Sequence, residues 1–243
     1  GNSRFCIWIN EENLGDAKKI KPIADRIEKV KLSRETSNRD ATKKLANVPF
    51  RFGEVRHQET DSIIIPRHSS ENREYIPIGF LNSETVIADS ALAVYDIEPW
   101  LFGVIHSRMH MVWVRAVGGK LEERLRYSAK LCYNTFPFPD INIKQKENLN
   151  LYVFAILDER AKHPEKTMAQ LYNPGTMPKG LKTAHEELDK AVEQCYRLQP
   201  FTSDTERLEY LFKLYEEMTR KDTLFAKEKK PGKREGKKKK GET

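Results

Sequence analysis

The stretch RYSAKLCYNTFPFP, residues 126–139, separates two parts of the chain that have different hydrophobic patterns. Before it, short runs rich in Val, Ile and aromatic residues alternate with Gly, Ser and Asn, which is typical of strands and loops. After it, apolar residues recur at the spacing of amphipathic helices. We therefore expect Tyr133, Phe136 and Phe138 to pack where a β-rich part of the chain meets a helical part.

The N-terminal part contains several candidate strands and two candidate helical segments. Apolar spacing predicts a helix over 17–32, a second short helix or connector to about residue 44, and a helix over 98–107 that starts at Pro99. β-branched and aromatic composition predicts strands within five runs, residues 4–9, 61–68, 74–81, 84–96 and 111–117.

The C-terminal part is predicted to form three amphipathic helices. One apolar stripe runs from Leu149 to Leu157 and ends before Pro164, and a second occupies residues 181–195. Ser203 followed by Glu206 predicts a capping box that opens the third helix. Three such helices with short connections indicate a small bundle, or a cap on the preceding domain.

These patterns predict an α+β fold, in which a mixed β-rich domain with inserted helices precedes a small C-terminal helical bundle. The predicted spans are a lead-in strand and helical connector at 1–48, the β-rich domain at 49–140, the helical domain at 141–225 and a disordered lysine-rich tail at 226–243.

The net charge of +7 is concentrated in that tail, which carries +6 and leaves +1 for the other residues of the 243-residue chain. A nucleic-acid-binding role for the folded part must therefore rest on the local placement of charges. The three cysteines are far apart and form no CxxC pair, which indicates buried thiols of a cytoplasmic protein rather than a disulfide or zinc site. No apolar run is long enough for a membrane span.

Familiar catalytic motifs are missing from the sequence. It has no GxGxxG, GxxxxGK[ST] or GxSxG, and no glycine-rich loop for S-adenosylmethionine. His106 and His110 are four residues apart, but the glutamate of HExxH is absent, so we expect them to pack in the core. Asn173-Pro174 lacks the aromatic residue of a base-flipping methyltransferase loop and is predicted to be a turn. We therefore predict that this chain is not catalytic by itself and has no metal site.

Charged side chains of both signs cluster in three loop regions of the β-rich part. They lie around the segment RHSSENR at 67–73, around MHMVWV at 109–114 and its flanks, and in GGKLEERLR at 118–126. Arginine presents a fork to guanine, and Glu or Asp accepts from the cytosine amine, so a reader of base edges mixes both signs. Solvated surface is the alternative interpretation of the same clusters.

Five segments follow one another along the chain in the order RFCIWI, FRFGEVR, SIIIPRHSSENREYIPIGFL, ETVIADSALAVYD and WLFGVIHSRMHMVWVRAVGGKLEERLRYSAKLCYNTFPFP. This order resembles the DNA target-recognition domain of large bacterial DNA methyltransferases, including the MmeI-like restriction–modification enzymes. The resemblance spans residues 4–140, and the helical remainder is similar to the C-terminal region of that family. It implies that double-stranded DNA is the partner. It also implies that a parent protein methylates adenine N6 with S-adenosylmethionine, through an N-terminal methyltransferase domain that this chain lacks.

The resemblance places base-reading residues in a strand and loop at 120–126 and in loops near Arg67 and Asp89. The candidate base readers are Arg67, Asp89, Glu122, Arg124 and Arg126. The candidate contacts to the DNA backbone are Arg73, Arg108, Arg115, Lys120 and Lys130. No catalytic, cofactor-binding or metal-binding residue is predicted.

Two other functions fit the sequence. An RNA or single-strand binder would use aromatic residues as stacking platforms and would prefer single strands to duplexes. A protein-interaction module would dock its helical part on another subunit and would show no affinity for DNA once the tail is deleted.

Overall fold

The apolar run SIIIP forms the central strand of a three-stranded sheet in the computed structural model of the protein, which describes residues 5–121 and 124–228. Strand β1, Ser62–Pro66, pairs antiparallel with β3, Gly79–Leu81, on one edge and with β4, Ala91–Tyr95, on the other. The alternation of the strand buries Ile63 and Ile65 in the core. The runs at 61–68, 74–81 and 84–96 thus each contain a strand, as predicted, although each strand is shorter than its run.

A second three-stranded sheet carries several of the predicted site residues. It contains β2, His68–Ser69, β6, Arg124–Arg126, and β5, Gly119–Leu121, in the order β2-β6-β5 with antiparallel pairing. His68 and Gly119 lie opposite Arg126 on its two sides.

The run MVWVRAV, predicted as a strand, is instead part of helix α5, Arg108–Val117. The preceding helix α4, Pro99–Ile105, was predicted correctly. The Ser107 side chain accepts from the His110 N–H and caps α5. Six consecutive residues, Met109 to Val114, are buried. A short apolar run that is buried on all sides has no informative periodicity, so its β-branched composition misled the prediction.

The C-terminal helices are α6, Ile143–Ala161, the short α7, Met168–Leu171, α8, Lys179–Tyr196, and α9, Asp204–Glu228. Gly103 of α4 allows the close packing of α4 on α6 and α8, because a Cβ there would lie 2.9 Å from Val153 Cγ2 and 3.1 Å from Leu188 Cδ1. The three predicted long helices and the α+β class are therefore confirmed. None of the described helices is long and apolar enough to cross a membrane.

The predicted capping box of α9 forms only in part. Ser203 Oγ accepts from the Glu206 N–H at 3.1 Å, as predicted. The Glu206 carboxylate, however, accepts from the Thr202 N–H at 2.7 Å instead of the Ser203 N–H. Helix α9 reaches Glu228, and the rest of the predicted tail, residues 229–243, lies outside the described residues.

The stretch 126–139 supplies core contacts, as predicted. After β6 it forms a π-helical turn, Ala129–Tyr133. The Phe136 ring lies 5.0 Å from that of Phe138 and 4.6 Å from that of His110, and Phe138 lies 5.3 Å from Tyr133. These aromatic residues link the end of the second sheet to α5.

The chain divides into two compact units, and the boundary lies between Glu59 and Thr60. The first unit contains α1, Leu14–Lys19, α2, Lys21–Glu35, and α3, Asp40–Lys44, followed by a 3-10 turn at Leu45–Asn47. The predicted helix over 17–32 is thus interrupted at Ile20, which places Pro22 in the first turn of α2, where its missing N–H breaks no helical bond. The four domain spans given above remain predictions.

The strand predicted at residues 4–9 is wrong for Phe5 to Ile9, which are irregular. No other strand is described in this unit for them to pair with. The Trp8 ring instead lies 5.6 Å from Phe52 and 5.4 Å from His57, and Phe5 is exposed. Composition alone favoured a strand, but a strand needs a partner.

Candidate nucleic-acid interface

Strand β6 presents two arginines on one face. Leu125 between them is buried, whereas Arg124 and Arg126 are exposed, as the alternation of a strand requires. Among the residues that the structure describes, neither arginine has an ion-pair partner. Both arginine side chains lie at the surface.

An open depression lies beside this strand. Arg124 lines it together with the end of β2 and the following loop, whose contributions are His68, Ser69, Ser70, Glu71 and Arg73. The structure thus brings together two predicted residues, Arg73 and Arg124, which are far apart in sequence. Hydroxyl, carboxylate, imidazole and guanidinium groups line the same surface, which therefore contains both hydrogen-bond donors and hydrogen-bond acceptors.

Arg73 has an unused donor at this depression. Its Nη1 lies 3.5 Å from Ser69 Oγ, a long hydrogen bond, and its Nε is buried without a partner among the described residues. A buried donor without an acceptor costs about 1–3 kcal/mol. Such a group is stabilised when a ligand or water supplies the acceptor.

Arg67 and Asp89 come together, but they contact each other. Arg67 Nε donates to the Asp89 carbonyl at 2.6 Å and its Nη2 donates to Asp89 Oδ1 at 3.1 Å. Because the Asp89 side chain is fully exposed, water screens this ion pair, which therefore contributes little to stability and can open toward a ligand. The pair also joins the loop before β4 to the end of β1.

Arg108 and Arg115 make intramolecular contacts. Arg108 Nε donates to Asp204 Oδ1 at 2.7 Å and its Nη2 donates to Oδ2 at 3.2 Å. This hydrogen bonding raises the pKa of Arg108 and lowers that of Asp204. Arg115 Nη2 donates to the Arg73 carbonyl at 2.8 Å. Neither residue lines the depression.

The other predicted site residues are distributed as follows. Lys130 is exposed in the π-helical turn. Glu122 and the side chain of Lys120 lie outside the described residues. His68, Ser70 and Glu71 are not among the contacts predicted from the sequence, although they lie in the charged segment at 67–73. The pairing of β2 with β6, which brings them beside Arg124, has no signal in the local sequence.

The histidines at 106 and 110 are core residues. His110 Nε2 lies 2.8 Å from the Tyr127 hydroxyl, and burial lowers the pKa of His110 to about 3. Burial also lowers the pKa of His106 well below its usual range. Within the described ranges, no cluster of three or more His, Cys, Asp or Glu side chains is arranged to hold a metal ion.

The mixed-charge depression beside β6 thus offers hydrogen-bond donors and acceptors to a polar ligand. Residues 1–140 match the family model described as MmeI, target recognition domain, and residues 141–223 match the MmeI C-terminal domain. The chain therefore belongs to the MmeI target-recognition-domain family, and the resemblance seen in the sequence is confirmed.

Two larger proteins resemble this chain. DNA methyltransferase A of Bacillus subtilis (strain 168) is 46% identical over 219 residues, which are 90% of this chain and 25% of that protein. The solved structure entitled "Structure of Type IIL restriction-modification enzyme MmeI in complex with DNA has implications for engineering of new specificities" matches with a TM-score of 0.85 and 38% identity. That match covers 88% of this chain and 29% of the other. The chain thus spans about a quarter of the length of its curated relative.

Proposed function

We propose that this chain reads a short sequence in double-stranded DNA, as the specificity part of a DNA adenine-N6 methyltransferase. The observation that carries the proposal is the depression beside β6, where Arg73 and Arg124 meet acidic and hydroxyl groups. The relatives support it, because one is named a DNA methyltransferase and the other was solved in complex with DNA.

In this proposal, Arg124 and Arg126 read base edges in the major groove through their planar forks, which match guanine N7 and O6. Glu122 and Asp89 accept from base amines, and Arg67 joins them when its pair with Asp89 opens. Arg73, Lys120 and Lys130 contact phosphates, which sets the register of the protein on the duplex. Arg108 and Arg115 are also proposed to contact the DNA backbone. To do so, Arg108 must leave Asp204 and Arg115 must leave the Arg73 carbonyl.

We assign methyl transfer to a methyltransferase domain elsewhere in the parent protein. S-adenosylmethionine belongs in that domain, because the sequence described above has no glycine-rich loop to hold it. The chain's own part is to bind the duplex and orient it, so that the target adenine can be flipped out by the other domain.

Burial of the aromatic residues argues against the single-strand alternative for the stretch at 126–139. A stacking platform must expose its ring faces, but Tyr127 and Phe136 are buried in the core. The charge-bearing sheet face is therefore a better candidate for contact with nucleic acid than these rings.

Selection from a randomised duplex pool tests the proposal, with residues 1–225 used so that the lysine-rich tail does not contribute. We expect enrichment of one short motif at moderate salt, and we expect competing single strands to bind more weakly than the duplex. Binding without enrichment would reduce the chain to a binder of phosphate backbones. No binding by this piece or by the parent protein would contradict the proposal.

A further inference from the structure

The loop that lines the depression is attached to helices α5 and α8 at two points. We call residues 70–74, which follow β2, the recognition loop. At one point Arg115 of α5 donates to the Arg73 carbonyl at 2.8 Å. The second point is Tyr75, the residue directly after the loop, which is buried.

Tyr75 is held by two side chains of α8. Its ring stacks on His185 with a centroid distance of 4.1 Å, and its hydroxyl donates to Asp189 Oδ2 at 2.6 Å. His185 and Asp189 are four residues apart and therefore lie on the same face of the helix. One turn of α8 thus contacts both the ring and the hydroxyl of Tyr75.

Asp189 connects the loop to a third element. Its Oδ1 accepts from the Arg108 N–H at 2.7 Å, at the start of α5. One buried carboxylate therefore joins the recognition loop, α5 and α8. Helix α5, which donates this bond, also carries Arg115, so α5 contacts both Asp189 and the recognition loop.

A hydrogen-bond chain fixes the orientation of His185 behind Tyr75. Arg160 Nε donates to the Tyr172 hydroxyl at 2.8 Å, and that hydroxyl lies 2.8 Å from His185 Nε2. Arginine can only donate, so the Tyr172 hydroxyl uses its own proton toward His185. The His185 ring is thereby held in place for stacking on Tyr75.

We propose that Tyr75 and Asp189 are positioning residues for DNA recognition, which act by setting the place of the recognition loop relative to β6. This inference rests on the proposed function. The residues of a binding site must be held within about 0.5 Å of their productive geometry, so the loop that carries Arg73 and helps to set the register on the duplex needs rigid support behind it. The C-terminal domain is then part of the specificity apparatus, although none of its residues lines the depression.

Four variants of the parent protein test the inference. Asp189→Ala removes both acceptors, and Asp189→Asn keeps an acceptor for the Arg108 N–H and can donate to the Tyr75 hydroxyl. Tyr75→Phe removes only the hydroxyl and keeps the stacked ring. The matched control is Tyr196→Phe, which removes a half-buried hydroxyl that donates to the Pro137 carbonyl at 3.0 Å, outside the loop.

The readout is the ratio of affinity for the selected motif to affinity for duplexes with a single mismatch, measured well below the unfolding temperature of each variant. We expect Asp189→Ala to lower this ratio about tenfold, the lower end for loss of a supporting hydrogen bond. Tyr75→Phe should act in the same direction by a smaller factor, Asp189→Asn should recover most of the ratio, and Tyr196→Phe should leave it unchanged. Full discrimination by Asp189→Ala, or an equal loss in Tyr196→Phe, would overturn the inference.

Amide hydrogen exchange in the same variants separates this inference from the proposed function. Faster exchange at residues 70–74 in Asp189→Ala but not in Tyr196→Phe shows that the carboxylate holds the loop. If that pattern appears while the unaltered protein discriminates no sequence, the proposed function fails and the role in specificity fails with it. If the unaltered protein discriminates and the exchange does not change, the inference alone fails.

Discussion

The two arginines of β6 and Arg207 of α9 have opposite surroundings. Arg124 and Arg126 of β6 are exposed and lack an ion-pair partner among the described residues. Arg207 of α9, in contrast, contacts Glu193 at 2.7 Å with both side chains largely buried, and it also donates to Asp204 at 3.1 Å. The same type of side chain is thus exposed at the surface in one region and forms a structural cross-link in the other. Among the described residues, the difference is that only Arg207 forms ion pairs with carboxylates.

Breaking the buried pair should have the largest effect on stability. Arg207→Ala leaves Glu193 buried without its partner, and we expect it to lower the free energy of unfolding by about 3–5 kcal/mol. Urea denaturation followed by circular dichroism measures this change. Arg124→Ala is the matched control and should stay within about 0.5 kcal/mol of the unaltered chain. Comparable losses in the two variants would remove the contrast between the regions.

The pH dependence of stability should come from the buried region. Burial lowers the pKa of His106, His110 and His185, so the unfolded chain takes up protons below about pH 6.5 that the folded chain does not. Their contribution to stability is therefore lost as the pH falls below that value. Burial raises the pKa of Asp189 to about 7, which acts in the opposite direction above about pH 4.

Between about pH 5 and 6, unfolding lets the three histidines each take up a proton and lets Asp189 release one, which is a net uptake of about two protons. The free energy of unfolding should therefore rise by about 2.7 kcal/mol for each unit by which the pH increases in this range. Thermal melts between pH 5 and 7 measure the slope. Asp189→Asn should steepen it, because the opposing group is removed, and His110→Gln should flatten it. An unchanged slope in both variants would show that these groups do not remain in the protonation states described here.

Changes at the exposed arginines should affect recognition rather than stability. Arg124→Lys keeps the charge and loses the fork, whereas Arg124→Ala loses both. If Arg124 reads guanine, both variants lose about 1–3 kcal/mol of discrimination at one base pair, which is about five- to 150-fold in relative affinity. Competition between the selected duplex and its single mismatches measures this. A uniform loss in Arg124→Ala that Arg124→Lys restores would instead make Arg124 a phosphate contact.

The sequence by itself determined the elements whose signals are local. Four elements were predicted from patterns that repeat within one or two helical turns or within one strand. They are α6, α8 and α9, predicted from their apolar stripes, and β1, predicted from its β-branched run. The order of segments up to residue 140 was also enough to identify the family. Local periodicity and motif order need no knowledge of the distant chain.

Only the tertiary structure decided the features that depend on distant partners. The run at 111–117 forms a helix with Met111 to Val114 buried, although its composition favours a strand, and Phe5 to Ile9 are irregular, with no strand described in their unit to pair with. Arg108 and Arg124 look alike in sequence, but only Arg108 lies beside Asp204. Tyr75 and Asp189 are separated by 114 positions, so no periodicity could link them. Hydrogen bonds and ion pairs act over a few ångströms, and the fold alone sets which residues come within that range.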